Sequence, residues 1–248
     1  MLKMRDKMNH KSCLDIDRIA FFGRTYDEYL KMFDLTEDHL RKIKVLDCPA
    51  GASSFTAEAL RKGLSVTACD VLYDLSVKEL VRKGCEDIRH VFERFDEVSH
   101  LYTWKYYRNK EEVIYLRHSA LSLFSEDLTG GIERGNYIQA RLPDLPFPDR
   151  RFDLVLSGHF LFLYGDRLDI NFHISCLREL LRVSSGEVRI FPLTGLDAEP
   201  YPHLYEILCR FRSEGINATV VKVPFEFQRG ANAMMKLRKE NNPMGPRS

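Results

Sequence analysis

The run Val45-Leu46-Asp47-Cys48-Pro49-Ala50-Gly51-Ala52-Ser53-Ser54-Phe55, answered by Ser65-Val66-Thr67-Ala68-Cys69-Asp70, restricts the fold more than any other part of the chain. It reads as a strand, a turn of small residues, a helix and a second strand ending in a carboxylate. Parallel strands require such a crossover, so the unit predicts an α/β fold on a mostly parallel sheet. Ala50, Gly51 and Ala52 carry almost no side chain, which lets a ligand approach the turn and meet helix N-terminal amides. Asp70 falls at the carboxyl end of the neighbouring strand, where nucleotide-binding sheets place an acid to accept hydrogen bonds from ribose hydroxyls. The pairing points to an adenosine-containing ligand. Only Gly51 survives of the G-x-G-x-x-G that cradles a pyrophosphate, so a dinucleotide is the weaker reading.

A chain of 248 residues, 44% of them hydrophobic, can bury a full core and fits one α/β domain spanning 1–248. Lysine and arginine number 37 against 36 acids, and the resulting charge of +1 argues against a broad nucleic-acid footprint. Six cysteines lie scattered without C-x-x-C or zinc spacing, in a protein too large to need disulfide staples. No apolar run reaches the roughly 18 residues that span a bilayer, and the first twenty residues lack an apolar signal core. A soluble, cytoplasmic protein without a structural metal is the expectation.

Residues 1 to 13 are rich in lysine and methionine and read as a frayed end, as does the tail 241–248. Residues 15 to 40 have apolar residues at helical spacing and predict one or two helices ahead of the first strand. A further helix is expected over 76–95, after which a short crossover should return to the sheet. The next convincing strand waits until Asn136-Tyr137-Ile138-Gln139-Ala140. The intervening 96–135 is therefore an insert, with helical periodicity over 112–124, a break at Thr129-Gly130-Gly131, and helices expected to project from the domain. It leaves from the side of the sheet where open α/β folds carry their sites. A substrate lid and a homodimer contact anchored by Trp104, Tyr106 and Tyr107 are both open readings. Further on, 169–183 predicts a helix, 187–193 a strand and 202–215 a helix stopped by glycine; strands at 218–227 and 233–237 make a terminal hairpin.

The residues from Val45 to Phe55, with Asp70 behind them, resemble the first motif and acidic second-strand end of class I S-adenosylmethionine-dependent methyltransferases. So does Leu145-Pro146-Phe147-Pro148-Asp149-Arg150-Arg151-Phe152-Asp153-Leu154-Val155, which is similar to the segment joining the third and fourth strands of many small-molecule members. The resemblance spans about 40 to 238 less the insert. It implies a Rossmann-like, mostly parallel seven-stranded sheet with a terminal antiparallel hairpin, helices on both faces and a helical insert between the second and third strands. It implies S-adenosylmethionine as cofactor, with Asp47, Cys48, Pro49, Ala50, Gly51 and Ala52 around its methionine part and Asp70 on its ribose. Arg141 and Leu142 would lie near adenine, with Val71 as the other apolar neighbour, and Ser157 at the end of the fourth strand. Cap helices within 15–40 would cover the cofactor and bring Arg24 and Tyr26 toward its carboxylate, where a solvated arginine and a packed aromatic are the plain alternatives. The chain departs from the family's D-x-G-x-G-x-G at Pro49 and Ser53, and Arg141 stands where an acid commonly binds the adenine amino group.

Methyl transfer from a sulfonium is an in-line displacement in which alignment and water exclusion supply much of the rate. Where the acceptor must lose a proton, His159, directly after the fourth strand in Ser157-Gly158-His159-Phe160, is the candidate base, a packed histidine being the plain alternative. The same string is not the D/N-P-P-Y/F of amino-nitrogen methylation, and neither a P-loop nor a G-x-S-x-G elbow occurs. The sequence thus predicts a methyltransferase of a small-molecule acceptor. Two rivals stand beside it: a non-catalytic cofactor-binding or interaction protein, and an RNA or protein methyltransferase gripping a polymer through Lys105, Arg108, Lys110 and Arg117.

Overall fold

The strand-turn-helix-strand unit forms as its residue pattern dictates. In the computed structural model, which describes residues 11–239, β1 (Lys44–Asp47) and β2 (Ser65–Asp70) pair directly in parallel, joined through α3 (Phe55–Arg61). β3 (Tyr137–Gln139) adds outside β2, and β4 (Phe152–Gly158) and β5 (Ser184–Phe191) extend the parallel sheet on the other side of β1. β6 (Ile216–Lys222) and β7 (Ala233–Lys239) close it, with β7 antiparallel to both its neighbours. The order is β3-β2-β1-β4-β5-β7-β6. This is the Rossmann-like sheet with a terminal antiparallel hairpin that the resemblance implies. Two clusters of buried apolar residues, one containing Val45 and Leu156 and the other Leu46 and Val155, cover its faces, as the period of two along each strand requires.

The helices start where local chemistry stops their orphan amides going unpaired. Thr25 and Ser76 form capping boxes with Glu28 and Glu79 at the starts of α1 (Tyr26–Met32) and α4 (Val77–Arg94). Asp169 caps α6 (Ile170–Val183), and a short α2 (Glu37–Leu40) and α7 (Leu204–Ser213) complete the set beside the insert helix.

Within 15–40 the expected helices form, α1 and α2, and residues 14–25 lead into them as an irregular strap. Two local expectations are corrected. The insert does not project. After a 3₁₀ turn (Phe95–Leu101), α5 (Lys110–Glu133) runs unbroken through Thr129, Gly130 and Gly131 and packs against α3 and α4, burying Val113, Leu121, Phe124 and Leu128. A Cβ at Gly131 would meet the Tyr137 ring at 2.4 Å, so the glycine serves a close helix-to-strand approach that outweighs its propensity cost of about 1 kcal/mol. Second, the strand expected over 218–227 ends at Lys222. The chain leaves the sheet because the insert captures it: the Tyr102 and Gln228 backbones form a bridge, and the Thr103 amide donates to the Phe227 carbonyl at 2.7 Å. The expectations for residues 1–10 and 241–248 fall outside the described residues.

Candidate functional site

The strap crosses the carboxyl ends of the strands and is pinned from several elements at once. The Phe21 amide donates to buried Asp87 on α4 at 2.7 Å, and the Ala20 amide to the Tyr164 hydroxyl at 3.0 Å. Arg117 of α5 donates to the Gly23 carbonyl at 2.9 Å. A Cβ on Gly23 would lie 2.2 Å from the Ala52 backbone, so the strap rests directly on the small-residue turn. The Arg24 carbonyl accepts from the Ser54 amide at 3.1 Å and the Ser53 hydroxyl at 3.2 Å.

That contact corrects the expectation that a ligand meets the amides of the α3 N-terminus. The Ser53 amide donates to the Ala50 carbonyl, Ser54 to Arg24, and Phe55 to the Ser53 hydroxyl, so the chain itself satisfies these three. The Gly51 amide donates to Asp70 Oδ2 at 3.0 Å, and the Leu72 amide to Asp70 Oδ1 at 3.0 Å. With the amides occupied and a carboxylate in their place, the turn opposes a pyrophosphate. Burial pushes the Asp70 carboxyl above its usual range, against the pull of the Leu72 and Gly51 amides.

Between strap and turn lies a cavity of about 490 Å³, within the range typical of small-molecule sites. Cys48, Pro49, Ala50, Gly51, Asp70, Val71, Arg141 and Leu142 line it, as do Arg24 and His159. The structure thus brings most of the sequence-predicted residues to one place. It leaves four out of the lining: Asp47, Ala52 and Ser157 are buried, and Tyr26 stacks on Phe55 with centroids 5.6 Å apart. The helix turns Tyr29, not Tyr26, toward the cavity, and the Tyr29 hydroxyl donates to Asp47 Oδ1 at 3.1 Å. Burial raises the Asp47 carboxyl well above its usual range, and Oδ2 has no hydrogen-bond partner among the described residues.

A second, smaller cavity of about 80 Å³ adjoins it. Phe22, Arg24, His159, Leu163 and Tyr164 line both, so they form the seam. The far wall comes from α4, the insert and the β6–β7 connection, through Phe92, Tyr102, Phe225 and Phe227. His159 has φ of +54°, a left-handed conformation that swings its ring off the strand direction and against Phe191, while its amide donates to the Phe191 carbonyl at 2.7 Å. Burial, reinforced by the Arg24 and Arg117 guanidiniums, lowers the His159 pKa well below 6.5, so the imidazole is neutral at pH 7.

Behind the seam lies a network that the sequence did not announce. Arg117, Glu28 and Tyr107 are all buried; Arg117 pairs with Glu28 through both guanidinium ends, and the Tyr107 hydroxyl donates to the same carboxylate. Burial alone would raise the Glu28 pKa, but the Arg117 charge and hydrogen bond outweigh it and hold the group at about 2. Arg24 has no such partner: its Nε is buried without a hydrogen bond among the described residues, and burial together with the Arg117 charge brings its pKa down to about 10. The only hint of this network in the sequence is the spacing of Thr25 and Glu28, which marks a capping box and says nothing of a residue on the insert. Among the described residues no group of three or more histidine, cysteine or acidic side chains is placed to hold a metal ion, and no helix is long and apolar enough to cross a membrane.

No family model matches the chain. It is 33% identical over 230 residues to the uncharacterized protein MJ0045 of Methanocaldococcus jannaschii, covering 91% of this chain and 99% of that one. Among solved structures it is similar to an S-adenosylmethionine-dependent methyltransferase from Aquifex aeolicus (19% identity, 90% of this chain and 92% of that, TM-score 0.40). It is also similar to 1,6-didemethyltoxoflavin-N1-methyltransferase from Burkholderia thailandensis (17% identity, 86% and 79%, TM-score 0.45). The chain belongs to the family of the Methanocaldococcus protein.

Proposed function

We propose that this family member is an S-adenosylmethionine-dependent methyltransferase of a small-molecule acceptor. The observation that carries the reading is the meeting of two cavities at His159 and Arg24, the larger lying over the carboxyl ends of the strands with Asp70 in its wall. Open α/β sheets bind ligands at such a crevice, and methyl transfer needs two ligands held end to end. The cofactor fits the larger cavity in volume, and the turn's occupied amides and its carboxylate favour a ribose over a phosphate.

In this reading Asp70, fixed by the Gly51 and Leu72 amides, accepts from the ribose hydroxyls, while Cys48 to Gly51 back the methionine part. Asp47 acts from behind through Tyr29. Val71 and Leu142 flank the adenine, and the main chain at Arg141 and Leu142 meets its edge. Bound S-adenosylmethionine supplies a methyl on a sulfonium, whose carbon–sulfur bond breaks as the acceptor–methyl bond forms, the electron pair staying on sulfur. The chain's own work is alignment and exclusion of water, by the strap above and the insert and β6–β7 connection beyond. His159, neutral at pH 7, has a ring nitrogen ready to accept the acceptor's proton. We place the protein's activity in one domain, 1–248, with 96–135 as the wall of the acceptor cavity.

Calorimetric titration with S-adenosylmethionine and S-adenosylhomocysteine tests the reading. Micromolar binding is expected, weakened about 10- to 100-fold in Asp70→Ala, as the loss of a charged hydrogen-bond acceptor of ~1.5–3 kcal/mol dictates. Absence of binding by the wild type would remove the enzyme reading and leave an interaction protein on this fold.

A further inference from the structure

The methyl acceptor's chemical class can be read from the smaller cavity. Two guanidiniums, Arg24 and Arg117, line it, and no aspartate or glutamate does. Glu28, the buried carboxylate that pairs with Arg117, lies behind the wall and is fully engaged by Arg117, Tyr107 and the Thr25 cap. One positive charge is therefore matched and the other is not. Arg24 carries the unmatched one: no acid is within ion-pair distance of it among the described residues, its Nε is buried and unpartnered, and its guanidinium lies over the Phe22 ring at 5.5 Å. A buried cation without a counterion is costly, and a cavity that keeps one is built to receive an anion.

The rest of the lining is apolar and aromatic. Phe92, Phe95, Tyr102, Phe225 and Phe227 supply flat faces, and the Gln228 amide already accepts from Thr194 and donates to the Gly195 carbonyl. A water needs ~10–15 Å³ of such space, so about 80 Å³ admits a single ring or a short branched chain and not a polymer segment. Resting on the methyltransferase reading, we propose that the acceptor is a small carboxylate with an apolar, ring-sized body, its carboxylate on Arg24 and the body between the aromatic faces. His159, which lines the same cavity, then faces the atom to be methylated.

The test uses the full chain, with and without saturating S-adenosylhomocysteine, and titrates benzoate, phenylacetate and hexanoate beside the isosteric benzamide and the cationic benzylamine. At least one carboxylate should bind while benzamide binds tenfold or more weakly and benzylamine not at all. Arg24→Gln should abolish that preference and cost benzoate more affinity than S-adenosylhomocysteine, and Arg24→Lys should keep part of the preference. A thermal melt controls for folding, and Arg24→Gln should melt no lower than wild type because it removes an uncompensated buried charge. Equal binding of benzamide and benzoate, or no carboxylate binding at all, would overturn the proposal. So would an Arg24→Gln variant that loses S-adenosylhomocysteine yet keeps benzoate, because Arg24 would then serve the cofactor's own carboxylate. A wild type that binds benzoate and not S-adenosylhomocysteine would instead sink the methyltransferase reading and leave the anion site standing.

Discussion

The larger cavity lies between the strap and the ends of β1, β2, β3 and β4 with the turns that follow them, whereas the smaller adds to the strap α4, the insert and the β6–β7 connection, from Leu14 to Ala231. Their charges are handled differently too. In the larger, the Asp70 carboxylate accepts from two backbone amides of its own unit. In the smaller, a guanidinium from the insert is neutralised by a carboxylate 89 residues away, and a second guanidinium is left over. A site made by one supersecondary unit carries its own hydrogen-bond partners; a site made by distant segments depends on their packing to bring compensating charges together.

The largest effect expected from this contrast is on the Glu28–Arg117–Tyr107 network. Glu28→Ala would leave Arg117 buried without its counterion and should cost about 3–5 kcal/mol in urea unfolding. Replacing both partners with apolar residues of like volume should restore most of that, and a single variant as stable as wild type would mean the two halves are not joined through this pair.

Next in size, Gly23→Ala forces a Cβ against the Ala52 backbone and should cost about 1–3 kcal/mol by overpacking. It should also weaken S-adenosylhomocysteine binding by calorimetry, since the strap would have to lift from the turn. An unchanged affinity would separate the strap from the larger cavity.

The smallest effect is a pH dependence. The folded-state pKa of His159 lies below its ordinary 6.5, so the unfolded chain takes up the proton first as pH falls. Its contribution to stability is complete above pH 6.5 and is lost below it, by at most about 1.4 kcal/mol per pH unit. Glu28, held at about 2 against an ordinary 4.5, adds loss in the same direction between those values. Unfolding of His159→Gln followed from pH 7 to 5 should show a flatter slope than wild type; equal slopes would place the imidazole in water rather than at the seam.

Much of this molecule was legible before folding. The strand-turn-helix-strand unit gave the first parallel strands, and Ser76 and Asp169, where helices were expected to start, cap them with their side chains. The small-residue turn and Asp70 were read as neighbours, and they meet through the Gly51 amide. Where the reading failed, a local signal was overridden at long range. Glycines 130 and 131 looked like a helix break until Tyr137 packed on them, and 223–227 looked like a strand until Tyr102 and Thr103 drew it away. Tyr26 and Tyr29 share one short helix and both stack on Phe55, yet only Tyr29 reaches the cavity, with its hydroxyl on buried Asp47.

By itself, then, the sequence determined the sheet, its crossovers and the cavity over the strand ends, because these rest on spacing, turn chemistry and caps that act over a few residues. Tertiary structure alone decided that the Ser54 and Phe55 amides go to the Arg24 carbonyl and the Ser53 hydroxyl, that His159 lies in a left-handed conformation at a seam, and that Arg117 meets Glu28 while Arg24 meets no acid among the described residues. Most of those outcomes are set by the packing of segments tens to hundreds of residues apart, where burial removes the solvent that would otherwise satisfy each charge and amide, and the fold must choose which of them to pair.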